Sequence, residues 1–375
     1  MTCPGGHYSR VSQMKRFFAG VAAAFLAAAL FVPCGAVSAR NAILLDGQTG
    51  RVLYEKQADQ QGLIASTTKI MTALVVCEQT NVLDRVRIPQ EAVGIEGSSM
   101  YLKAGEVLTV QELLYGLMLH SGNDAAVALA IYCGGTVEGF AELMNDKAHR
   151  LGLKNTHFVN PNGLDSPGHY SCARDMAVLA AYAMENPLFA QTVSTKTVTA
   201  GGRSLRNHNK LLWLLEGADG VKTGYTKAAG RILVSSCTRQ GRRLIAVTMN
   251  DGNDWKDHQS LMETGFEKYS LQQLVHKGAC LGTVSVISGE ACNVELLATT
   301  DFSYALASDE EPEIVLSKPD FVYAPVVQGQ DAGFAYLCLA GKPVGKIPLV
   351  YGKTVEAQII KKPSLWEKLF KGGRA

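Results

Sequence analysis

Three short groups of residues carry the chemistry that this chain can do. Ser66-Thr67-Thr68-Lys69 opens an apolar run, Ser121-Gly122-Asn123 interrupts another, and Lys222-Thr223-Gly224-Tyr225 leads into a strand-like segment. On a helix, residues three apart share a face, so the Lys69 amine falls within hydrogen-bond reach of the Ser66 hydroxyl. Burial and a nearby second lysine would depress the pKa of that amine, as a base that deprotonates a serine requires. A serine at a helix start also offers its own N–H to a developing oxyanion, with the helix dipole behind it. In the second group a hydroxyl and a carboxamide can point into one cleft, with Gly122 permitting the turn. In the third, a cation beside a hydroxyl can grip a carboxylate, and the missing side chain of Gly224 leaves room for substrate along the strand.

Chance produces any one of these groups in a chain this long, and a capped core helix resembles the first. Their joint occurrence, in this order and in these local contexts, points to acyl transfer by a serine nucleophile with a lysine base. Such chemistry needs no imidazole, so His120 beside the second group reads as packing. Arg174-Asp175 reads as a structural pair and Trp213, among leucines, as core. There is no Cys-x-x-Cys pair and no zinc-type histidine spacing, so neither a metal nor a cofactor is expected.

The elements that position these groups are legible in outline. At 375 residues the chain is long for one domain, and a hydrophobic content of 47% is ample for packed cores. Its 36 basic and 34 acidic residues nearly cancel, leaving no net field to favour nucleic acid. Lys15 and Arg16, an apolar run from Phe17 to Val32, and Val37-Ser38-Ala39 read as a secretory signal over residues 1–39, which puts the protein outside the cytoplasm. The seven cysteines beyond it are odd in number and widely spaced, and they read as small apolar fillers; Cys280 and Cys292 are the one pair that could join. Residues 40–272 read as a mixed α/β unit. A hairpin is expected at Ala42–Asp46 and Arg51–Tyr54, helices at Thr67–Thr80, Val110–Tyr132 and Val137–Leu151, and central antiparallel strands at Arg231–Thr238 and Arg243–Met249. Over residues 273–358 helical periodicity vanishes, and short apolar runs between turns predict a small all-β sandwich. In the tail, residues 359–375, Leu365, Trp366, Leu369 and Phe370 share one helical face flanked by lysines, which suits a membrane surface.

With Ile64–Thr72, His120–Asp124, Phe158–Leu164, Ala173–Asp175, Asn209–Leu212 and Asp219–Thr226, residues 40–275 resemble the low-molecular-weight penicillin-binding proteins of the serine D-Ala-D-Ala carboxypeptidase family. The β region and tail resemble that family's second domain and membrane anchor, and Asn253–His258 is similar to Gram-positive members, some linked to sporulation. The resemblance implies a β-lactamase/transpeptidase-like α/β domain, an antiparallel sheet flanked by helices. It implies a peptidoglycan stem peptide ending in D-Ala-D-Ala as substrate, and β-lactams as covalent inhibitors. Ser66 would attack the carbonyl between the two D-alanines, Lys69 would take its proton, and Ser121 would protonate the departing amine. Asn123 would bond the substrate's amide backbone, Lys222 and Thr223 its carboxylate, and the N–H groups of Ser66 and Tyr225 would form the oxyanion hole. One departure stands out. Several relatives carry a carboxylate-binding arginine downstream of the Lys-Thr-Gly group, where Asn250–His258 has none; Lys256 or His258 could substitute, or Lys222 and Thr223 could serve alone. The alternatives are a D,D-endopeptidase, a β-lactamase (although Phe158–Asp175 lacks the glutamate it would need) and a non-catalytic cell-wall binding protein.

Overall fold

The computed structural model describes residues 37–359. The charged and apolar parts of the expected leader and the amphipathic face of the expected tail lie outside the described residues.

An antiparallel sheet runs in the order Val52–Lys56, Asn41–Asp46, Arg242–Met249, Gly230–Arg239, Ala218–Thr226. Ile43, Leu44 and Leu45 are consecutive and all buried, so this strand is covered on both faces. Helices Ala173–Ala183 and Asp254–Lys268 pack against the sheet. The strand that carries Lys222 and Thr223 is the sheet's last, paired on one side only.

The helix Lys69–Gln79 is buried from Lys69 through Val76, all round its axis, as a central core helix must be. Helices Val110–Leu119, Asn123–Gly134, Val137–Arg150 and Ala173–Ala183 surround it. The run read as one helix from Val110 breaks in two. Val110–Leu119 starts on a capping box between Thr109 and Glu112 and stops at His120, and Asn123 begins the next.

Beyond this α/β part, Tyr269–Val275 pairs with Phe302–Ala307. A six-stranded sheet follows in the order Glu313–Ser317, Asp331–Leu339, Lys342–Tyr351, Asn293–Ala298, Cys280–Ile287, Phe321–Tyr323. Val284, Leu296, Leu337 and Ile347 build a separate core there, which Val275 joins. All seven cysteines among the described residues are free. Cys280 and Cys292 are exposed rather than core fillers, and Cys77 and Cys133 are half-buried.

Arg242 fastens these parts together. Its Nε donates to Asp46 Oδ2 at 2.8 Å, and the Nη1 group reaches the carbonyls of Gly265 and Tyr269. Sheet, helix and the first strand of the β region thus meet on one guanidinium, with the carboxylate wholly buried. Asp46→Ala would strand that cation. We expect a loss of about 3–5 kcal/mol, read as a lower urea midpoint for the full chain. A change below about 1 kcal/mol, as for an exposed ion pair, would contradict it.

Candidate active site

The chain enters the site through Ala65, held in the left-handed region at φ 45°, and turns through a short 3-10 segment, Ala65–Thr68, directly into the helix that Lys69 begins. Lys69 is fully buried. Its Nζ lies 2.9 Å from Ser66 Oγ, 2.7 Å from Asn123 Oδ1 and 2.6 Å from the Asn162 carbonyl. Burial pushes its pKa well below the ordinary 10.5, Lys222 pushes it further, and Asp124 opposes them. Of its three neighbours, the Asn162 carbonyl and the Asn123 oxygen can only accept. A neutral amine, with two N–H bonds, donates to those two and turns its lone pair to the one partner that owns a proton, Ser66.

The Asn162 carbonyl is delivered by a tightly bonded loop. Asn160 Oδ1 accepts from Gly163 N at 2.7 Å, Asn162 Oδ1 accepts from Leu164 N at 3.0 Å, and Thr72 Oγ1 donates to the Pro161 carbonyl at 2.6 Å. Val159 N donates to His169 Nδ1, so the ring's proton sits on Nε2 and points to Thr68 Oγ1, 2.8 Å away. Burial keeps this imidazole neutral, its pKa pushed down to about 4. A side chain at Gly163, φ 85°, would fall 1.9 Å from the Ala65 carbonyl. The loop therefore docks against the nucleophile turn itself. The part this stretch plays in the site is not legible in the sequence, because a backbone carbonyl leaves no residue-type signal.

Ser66, Ser121, Thr223, Gly224 and Tyr225 line one groove of about 420 Å³, together with Ser98, His208, Arg231 and Trp255. Lys69, Asn123 and Lys222 are buried beside it. The Lys222 Nζ donates to the Thr223 carbonyl at 2.9 Å, and burial pushes its pKa down to about 7. All three sequence groups thus meet.

Two glycines act differently from expectation. At the second group it is Ser121, not Gly122, that takes the left-handed conformation, φ 63°. Gly122 has an ordinary φ of −58°, but a Cβ there would sit 2.9 Å from Asp124 Oδ1 and 3.2 Å from Met100 Cγ. Asp124 needs that space: its carboxylate accepts from Met100 N, Leu102 N and Ser99 Oγ, which pins the loop beside Ser98. At Gly224 a Cβ would press on the Ile64 carbonyl and Thr67, each at 3.2 Å. The missing side chain makes room for the nucleophile turn.

Other expectations are corrected. His258 is fully buried between Ser235 Oγ at 2.6 Å and Thr248 Oγ1 at 3.0 Å, and Lys256 is not in the groove lining. The cation in the groove is Arg231, opposite Tyr225 on the neighbouring strand and outside Asn250–His258. Its Nε and Nη2 bond both oxygens of Asp254, at 3.0 and 2.6 Å, and its guanidinium lies 5.8 Å from the Trp255 ring centre. Arg174 pairs with Asp59 and Glu55 rather than with Asp175, which instead accepts from Asn155 N and Thr156 Oγ1. Trp213 is 41% exposed, not core.

The profile of the family described as D-alanyl-D-alanine carboxypeptidase matches residues 27–253, and that described as the C-terminal domain of penicillin-binding protein 5 matches residues 269–357. The chain is 33% identical to D-alanyl-D-alanine carboxypeptidase DacF of Bacillus subtilis over 83% of its own length and 84% of the relative's. It is 35% identical to DacD of Escherichia coli over 84% and 86%. Penicillin-binding protein 5 of Haemophilus influenzae superposes with a TM-score of 0.76 at 31% identity, covering 85% of this chain and 98% of that one. The buried lysine against its serine, the shared groove and these likenesses converge: the chain belongs to the serine-type D-alanyl-D-alanine carboxypeptidases, the low-molecular-weight penicillin-binding proteins.

Proposed function

We propose that the chain removes the terminal D-Ala of peptidoglycan stem peptides outside the cytoplasm, with Ser66 as nucleophile. The observation that carries this reading is the 2.9 Å contact between Ser66 Oγ and a fully buried Lys69 amine. Lys69 takes the hydroxyl proton as Ser66 Oγ bonds to the carbonyl carbon between the two D-alanines. The N–H groups of Ser66 and Tyr225 receive the oxyanion. On collapse the C–N bond breaks, and Ser121, helped by Lys222, passes a proton to the departing amine. An acyl ester on Ser66 remains, which water hydrolyses. Asn123 holds the substrate's amide backbone. Lys222 and Thr223 grip the terminal carboxylate, and Arg231 joins them, its guanidinium already oriented by Asp254 and with Nη1 free of that pair.

β-Lactams present the same acyl group and carboxylate, so they acylate Ser66 and leave slowly. The helical spacing of Leu365, Trp366, Leu369 and Phe370 in the sequence supports a peripheral position on the outer face of the membrane.

Ser66→Ala is expected to abolish D-Ala release from a diacyl-Lys-D-Ala-D-Ala peptide and to remove the penicillin adduct seen by mass spectrometry. An adduct that survives would move the nucleophile elsewhere. The lowered pKa of Lys69 sets a pH signature. Its neutral form is the base, so acylation is present above that pKa and lost as pH falls through it. An ordinary lysine, titrating at 10.5, would let the acylation rate climb tenfold per pH unit almost to that value. We expect the climb to level off well below it in single-turnover penicillin acylation, and a climb that continues to the ordinary value would refute Lys69 as base. Arg231→Ala, checked for folding by circular dichroism, is expected to raise KM for the peptide by roughly tenfold or more, the loss of one charge-assisted contact, with kcat changed far less. An unaltered KM would remove Arg231 from the carboxylate site.

A further inference from the structure

A second cavity, of about 570 Å³, opens beside the catalytic groove and shares His208 with it. His120, Arg206, His208, Lys210 and Trp213 form its walls, and no carboxylate is among its lining residues. Arg206 and Lys210 have no carboxylate partner among the described residues. The Arg206 guanidinium lies 5.0 Å and the Lys196 ammonium 6.0 Å from the exposed Trp213 ring centre. Lys210 also sits 6.0 Å from the ring centre of Trp255, which lines the groove.

This wall is fixed from beneath. Asn207 and Asn209 are buried; the first donates to the Val193 and Thr195 carbonyls, the second to the Gly220 carbonyl at 2.7 Å. His208 N donates to the Leu119 carbonyl at 3.1 Å, which ties the segment to the loop that presents Ser121. A concave site with two cations in its wall that lack a carboxylate partner, and an aromatic face at its side, attracts an anion that carries an apolar stem.

Its location says which part of a substrate would reach it. His120 adjoins Ser121, the residue assigned to the departing amine, and His208 is the wall common to both cavities. We propose that the cavity is an anion subsite on the leaving-group side, selecting substrates whose departing residue carries a second carboxylate beyond the one gripped in the groove. The methylenes of such a residue would lie on Trp213 and its outer carboxylate between Arg206 and Lys210. D-Ala, with one carboxylate and a methyl group, leaves this cavity unused. The inference rests on the acyl-transfer reading above and widens it from D-Ala to larger, acidic leaving amines.

The test uses the full chain and three peptides with a common diacyl-Lys-D-Ala acyl part, ending in D-Ala, D-Glu or D-Gln. D-Gln matches D-Glu in size without its charge. The ratio of kcat/KM for the D-Glu peptide to that for the D-Gln peptide is expected to exceed one at low salt and to fall toward one as sodium chloride is added. In the Arg206→Glu/Lys210→Glu double variant the ratio should drop by about fivefold or more, chiefly through KM. The D-Ala peptide reports whether each preparation is an active enzyme. A ratio of one in the unmodified chain that still releases D-Ala, or a ratio untouched by the double variant, overturns the subsite alone. Failure of the unmodified chain to release any of the three residues overturns the carboxypeptidase reading and the subsite with it.

Discussion

Lys69 heads a helix in which every residue through Val76 is buried, and an ammonium placed there has no water to solvate it. An isolated cation in such surroundings is costly by several kcal/mol unless a carboxylate pairs with it or its proton leaves. Its hydrogen-bond partners here are a hydroxyl, a carboxamide oxygen and a backbone carbonyl, none of them an anion. Asp124, the acidic neighbour, spends its oxygens on N–H and O–H donors of the adjoining loop and on Ala125 N of its own helix. The environment therefore favours the neutral amine, and a neutral amine is the state in which a lysine can accept a serine's proton.

That constraint explains much of the surrounding architecture. Because the amine is held by dipoles rather than by charge, those dipoles must be placed rigidly, since a rotated amide would present a donor instead of an acceptor. Asn123 is fixed by its Nδ2, which donates to the Glu96 carbonyl, so its oxygen faces Lys69. Asn162 contributes its carbonyl from a loop stapled by its own asparagine side chains, by Thr72 and by a neutral His169. Lys222 adds to the same pressure from across the groove, and burial depresses its own pKa to about 7, near the point where an arriving carboxylate would tip it to the charged form.

What the sequence revealed and what it hid divide along physical lines. Side-chain chemistry at helical or strand spacing was readable: Ser66 with Lys69, Ser121 with Asn123, Lys222 with Thr223, and the apolar periodicities that carry them. Interactions that depend on backbone atoms or on distant chain segments were not. The Asn162 carbonyl has no residue-type signature. Arg231 lies in a strand, where alternation says only that one face is wet, and its approach to Tyr225 follows from strand register. The turn read at Gly122 is made by Ser121 instead, and the space that Gly122 and Gly224 leave is bounded by a neighbouring carboxylate and by the nucleophile turn, neither of which leaves a residue-type signal. Trp213 looked like core because leucines flank it, yet its short helix, Leu211–Leu214, buries only Leu211 and Leu212 and leaves the indole among cations at the surface.

The sheet's last strand joins stability to chemistry. An unpaired edge offers free N–H and C=O groups to any extended chain, which in most proteins invites aggregation and is covered. Here the strand Ala218–Thr226 is treated unevenly along its length. At Gly220 the carbonyl is already taken by the Asn209 amide at 2.7 Å, whereas Thr223, Gly224 and Tyr225 border the groove. A peptide can therefore add to this sheet over only a short stretch, beside Ser66, with the Gly224 backbone packed against the nucleophile turn. In the proposed reaction this strand would supply the register for an incoming peptide, and the turn it supports would supply the hydroxyl. A Cβ at Gly224 would press on the Ile64 carbonyl and on Thr67 at 3.2 Å, so its absence lets the strand and the nucleophile turn pack this closely.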